Sequence, residues 1–84
     1  MSRFTWARRK SDLRAVRQPR AFELRRDGIV YAIVQEDNLC GWFSYGTGKI
    51  SPTWNTYSQP QGLTEAKNDA LSRVRDALEK ERGE

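Results

Sequence analysis

Seven apolar residues near the end of this 84-residue chain do most to limit its fold. Leu63, Ala66, Ala70, Leu71, Val74, Ala77 and Leu78 fall on one arc of a helical wheel. That arc is about 140° wide at 100° per residue, the signature of a helix with a single apolar face, and Leu71, Val74 and Leu78 are expected on its inner side. Thr64 is placed to cap its start, and Glu65 suits the positive end of the helix dipole. Asp69 with Arg73 and Asp76 with Lys80 are acid-first pairs one turn apart, and Gly83 ends the pattern. One such helix needs one apolar surface to cover, and the residues before it must supply that surface.

Those residues read as strands. Phe22 and Leu24 alternate with Glu23 and Arg25, Asp27-Gly28 follows, and an apolar run from Ile29 to Val34 comes next. An Asp-Gly pair between two such runs marks a hairpin, because a type I′ turn needs positive φ at both central residues. The second run is apolar on both faces and reads as a central strand. Glu36, Asp37 and Asn38 read as the next turn, Gly41 to Tyr45 as another strand, and Gly46 to Gly48 as a further turn. Lys49 to Tyr57 reads as partly extended, with Pro52 keeping it from a central position, and Ser58 to Gly62 as a loop. Upstream, Phe4 and Trp6 share one face at strand spacing. Ser11 to Gln18 fits a short helix closed by Pro19, and fits equally a mobile basic tail. The expectation is an α+β domain, an antiparallel sheet of three to four strands with one amphipathic C-terminal helix packed on one face. Residues 1–20 form a basic N-terminal arm and residues 21–84 the meander and helix.

Charge is unevenly spread. Residues 1–26 hold nine basic side chains against two acidic ones, a net +7; residues 27–84 hold six against nine, a net −3, which together make the chain's +4. There is no histidine, and the one cysteine is Cys40. A structural zinc set and a Ser-His or Cys-His dyad are therefore out of reach within this chain. Cys40 beside Gly41 reads as a small filler, without the cationic setting a reactive thiolate needs. Gly46-Thr47-Gly48-Lys49 resembles a phosphate loop only superficially, since that motif needs Gly in place of Phe43 and Ser or Thr in place of Ile50. Adjacent Glu36 and Asp37 point to opposite faces of a strand and make poor acid/base partners. The expectation is no enzymatic activity and no cofactor. A lone cysteine and the lack of a long apolar run point to a cytoplasmic protein without a membrane span.

Two groups of residues remain as candidate partner-binding sites. The first is the basic arm, with Arg8, Arg9, Lys10, Arg14 and Arg17, suited to phosphates or to a carboxylate-rich protein face. The second is the aromatic set of Trp42, Phe43, Tyr45, Trp54 and Tyr57, which can stack on bases, anchor a protein interface or simply pack in a small core. Trp54 and Tyr57 lie among Ser, Thr and Asn residues beyond Pro52, and Trp54 is the aromatic expected to be most exposed.

The order Phe4-Thr5-Trp6, Asp27 to Ile33, Gly41-Trp42-Phe43 and Leu63-Thr64-Glu65-Ala66-Lys67 resembles small accessory proteins of tailed bacteriophages. The pattern is also similar to HicB-type antitoxins, but the basic arm and the Trp-rich loop depart from them, so no toxin partner is implied. The phage resemblance implies a protein that binds and modulates or inhibits a host protein or nucleoprotein, such as a defence or transcription machine. Direct DNA or RNA binding through the arginine-rich arm and the sheet aromatics is the alternative. The resemblance itself supplies no functional residues.

Overall fold

The computed structural model describes residues 3–9, 20–37, 41–50 and 53–82. It has four strands and one helix: β1 (Thr5–Arg9), β2 (Ala21–Arg26), β3 (Ile29–Asp37), β4 (Gly41–Gly46) and α1 (Leu63–Arg82). The strands form one antiparallel sheet in chain order, and the expected α+β architecture with a single C-terminal helix is the one observed. The first strand comes from the segment read as an arm: Trp6 pairs with Leu24 and Arg8 with Phe22. The candidate helix from Ser11 to Gln18 lies outside the described residues, as do Asn38, Cys40, Pro52 and Gly83.

The turn between β2 and β3 has positive φ at both central residues, 54° at Asp27 and 77° at Gly28, as its sequence demands. Glu36 and Asp37 do not form a turn. They are the last two residues of β3, opposite Trp42 and Gly41. Backbone pairing continues to the end of β3, because the Glu36 N–H donates to the Arg20 carbonyl at 2.9 Å.

Alternation puts Trp6, Phe22, Leu24, Ala32, Val34, Trp42 and Ser44 on one sheet face, and α1 crosses that face chiefly over β3 and β4. The core joins Leu24, Ala32, Val34, Trp42 and Ile50 to the helix residues Ala66, Ala70, Val74 and Ala77. Leu71 and Leu78, expected as the inner helix face alongside Val74, are only half-buried and flank it. The innermost line is mostly alanine, which lets the helix axis approach the sheet closely. The helix begins at Leu63, so Thr64 lies inside its first turn, and the Ala66 N–H closes that turn on the Gly62 carbonyl at 2.9 Å. No helix among the described residues is long and apolar enough to cross a membrane.

Candidate partner-binding surface

The two edges of the sheet are finished differently, and the hydrogen-bond parity shows how. In an antiparallel ladder each residue directs both its backbone groups to one neighbour, and successive residues alternate sides. The Glu36–Arg20 bond therefore assigns Phe22 and Leu24 to β3, and Ala21, Glu23 and Arg25 to β1. Their partners Thr5, Ala7 and Arg9 face β2, so the backbone groups of Trp6 and Arg8 point away from the sheet. On the far side the same parity turns Trp42, Ser44 and Gly46 outward from β4, and each is met by at least one hydrogen bond. Trp42 and Gln61 exchange two bonds of 2.8 Å, the Thr56 N–H donates to the Ser44 carbonyl at 2.9 Å, and the Gly46 N–H donates to the Trp54 carbonyl at 3.0 Å. The Ser44 N–H completes the set on Thr56 Oγ1 at 2.8 Å. The segment from Trp54 to Gln61 thus seals the β4 edge. Among the described residues, nothing bonds the outward backbone groups of Trp6 and Arg8.

Trp54 is consequently not the exposed aromatic its polar neighbours suggest. It is half-buried and packed on the core, its indole N–H donates to Ser44 Oγ at 3.1 Å, and the Arg73 guanidinium lies 5.8 Å from its ring. Tyr57 is exposed, at 57% of its surface, and meets the Phe43 ring edge-on at 5.1 Å. Phe43 and Tyr45 stack on the sheet face opposite the helix, where Phe43 is buried. Trp42 faces the helix and belongs to the core.

Of the basic candidates, Arg8 is exposed on β1 and shares a face with Trp6 and Phe22. Arg9 is the last residue of β1, opposite Ala21, while Lys10, Arg14 and Arg17 lie outside the described residues. The charge of the N-terminal region is partly neutralised. Arg20 pairs with Glu36 at 3.3 Å, Arg25 pairs with the buried Glu23, and Arg26 lies 3.9 Å from Asp27. Among the described residues, no carboxylate lies within ion-pair distance of Arg3 or Arg8. Among the described residues, uncompensated positive charge and unpaired strand backbone therefore coincide at the β1 edge.

Beside that edge lies a group of rings and cations that the sequence does not single out. The Lys67 ammonium sits 4.1 Å from the Phe22 ring centre and 5.4 Å from that of Trp6. Arg26 covers Phe4 at 5.0 Å, and Arg20 covers Trp42 at 5.4 Å. Phe4, Trp6 and Phe22 are half-buried where the helix leaves β1 and β2 uncovered. Such contacts fix long cationic side chains over the flank of the sheet. The alternation of Phe4 with Trp6 and of Phe22 with Leu24 was a usable signal, but the register that brings them together is not written in either segment alone. Against family models, curated proteins and solved structures, the chain finds no match.

Proposed function

We propose that this chain is a non-enzymatic binding module that occupies an acidic surface of a partner protein or nucleoprotein and so modulates or inhibits that partner. The observation that carries this reading is the exposed Arg8 on a sheet edge, uncompensated among the described residues, while the arginines on and beside β2 are paired with carboxylates. Clustered like charge raises encounter rates with an opposite surface and sets orientation. The resemblance to phage accessory proteins supports a host defence or transcription machine as the partner. Direct DNA or RNA binding is the second reading, supported by the cations lying over Phe22, Trp6 and Phe4.

The test is capture from bacterial lysate by the wild-type chain and by an Arg3→Glu, Arg8→Glu variant, each with and without nuclease. A captured protein that resists nuclease and is lost on charge reversal supports the first reading. Capture that depends on intact nucleic acid supports the second. Capture unaffected by charge reversal refutes both.

A further inference from the structure

We infer that the β1 edge receives an extended acidic segment of the partner as an additional antiparallel strand. This rests on the reading of the basic edge as the binding surface and specifies how it is used. A strand edge offers a regular row of donors and acceptors that an extended peptide can complete, with side chains at alternate positions giving selectivity. Here the offered groups are the N–H and C=O of Trp6 and of Arg8.

Charge selects the occupant. On the helix side of the added strand, a carboxylate would lie beside Arg8, and the same face presents Trp6 and Phe22. On the other side the strand would continue the surface of Thr5 and Ala7, which suits small or β-branched residues. An alternating acidic and aliphatic segment matches both faces. A second copy of this chain fits worse, because joining two β1 edges brings the Arg8 side chains of both copies onto one face with no carboxylate among the described residues between them. Basic side chains on an edge strand are a known guard against such self-pairing. A nucleic acid could use the charge but has no strand backbone to complete the row.

The experiment uses a short capped peptide of alternating glutamate and valine as probe, with two N-methylated forms, one blocked at the valines and one at the glutamates. A single edge uses only alternate amides of its guest, so one methylated form should bind like the parent and the other should lose binding. Parent binding should slow hydrogen exchange at the Trp6 and Arg8 amides. In the protein, Arg8→Gln removes the charge and keeps the N–H, whereas Arg8→Pro removes both. Proline is tolerated there because this N–H points away from β2. Arg8→Pro should weaken peptide binding by a further factor of about ten beyond Arg8→Gln, one hydrogen bond's worth. If the proline variant does not fold, the two methylated peptides still decide. Equal binding by both methylated forms overturns strand addition and leaves the charge reading intact. Failure of the parent peptide, of polyglutamate and of a single-stranded oligonucleotide to bind at low salt overturns the charge reading itself. Binding of the oligonucleotide but not the peptide, or self-association that protects Trp6 and Arg8 without peptide, assigns the edge to a different occupant and overturns the inference.

Discussion

The bond between Trp54 and Ser44 should decide whether the segment after β4 is a structural seal or a loose loop. Ser44 is fully buried, and the indole N–H reaches its hydroxyl at 3.1 Å. Trp54→Phe keeps an aromatic ring but removes the donor, leaving a buried hydroxyl short of a partner, a loss of about 1–3 kcal/mol. The smaller ring adds roughly 1 kcal/mol of lost packing. Ser44→Ala removes the acceptor instead and leaves the half-buried indole N–H with partial access to water, a loss of about 0.5–1.5 kcal/mol. The double variant has no orphaned group, so it should be more stable than the sum of the single losses implies, by about 1 kcal/mol. For a domain of this size each kcal/mol is worth about 4–8 °C in Tm. Urea and thermal unfolding followed by far-ultraviolet circular dichroism at the helix band avoid any reliance on tryptophan emission. Additive single losses would refute the reasoning, because they would place the indole N–H in water and detach the Trp54–Gln61 segment from β4.

Three further outcomes follow from the packing. Ala70→Leu forces a large side chain into the fully buried line between α1 and the sheet and should cost about 1–3 kcal/mol in chemical denaturation, whereas an exposed Arg75→Leu should stay within about 0.5 kcal/mol; equal effects would mean the helix is not seated through its alanines. Gly28→Val puts a β-branched residue at φ 77° and should lower Tm, while Gly28→Asn should be tolerated; indifference to valine would refute the turn geometry. Lys67→Ala removes a cation and an aliphatic stem from over Phe22 and Trp6 and should cost about 0.5–1 kcal/mol, with Lys67→Met recovering only the stem's share; no change in either variant would show the contact to be incidental.

Much of the fold was legible because its signals are local. The helix period, the Asp27-Gly28 pair and the apolar run from Ile29 each declare their element within a few residues. What escaped was long-range. Whether Thr5–Arg9 joins the sheet depends on a pairing with Ala21–Arg26 across eleven intervening residues, and no local pattern encodes that register. Trp54 was misread because Ser, Thr and Asn neighbours usually mean solvent, whereas here Thr56 and Asn55 use their polar groups on β4 and on the segment itself. Leu71 and Leu78 looked like the inner face because they are large apolar residues on the arc one turn either side of Val74. Close helix approach instead favours the line of Ala66, Ala70, Val74 and Ala77, and both leucines lie to one side of it. Of the basic candidates, Arg8 sits exposed as charge alone implies and Arg9 ends β1, while Lys10, Arg14 and Arg17 lie outside the described residues. Outside that set, Arg20 is held by Glu36 from β3, a pairing across the chain that the linear sequence does not show.

The unequal edges also limit how such a chain can be built into larger assemblies. In the terms of polymer chemistry, a sheet with two open edges is bifunctional and can propagate, whereas one with a single open edge is monofunctional. With Trp42, Ser44 and Gly46 already bonded to the Trp54–Gln61 segment, growth through the β4 side would first have to displace that segment together with its hydrogen bonds and the seated Trp54 ring. Among the described residues, the outward Trp6 and Arg8 groups have no comparable seal. A partner strand pairing at the β1 edge, as inferred above, would therefore leave this chain at the end of the joint sheet, with its sealed β4 side stopping growth in that direction.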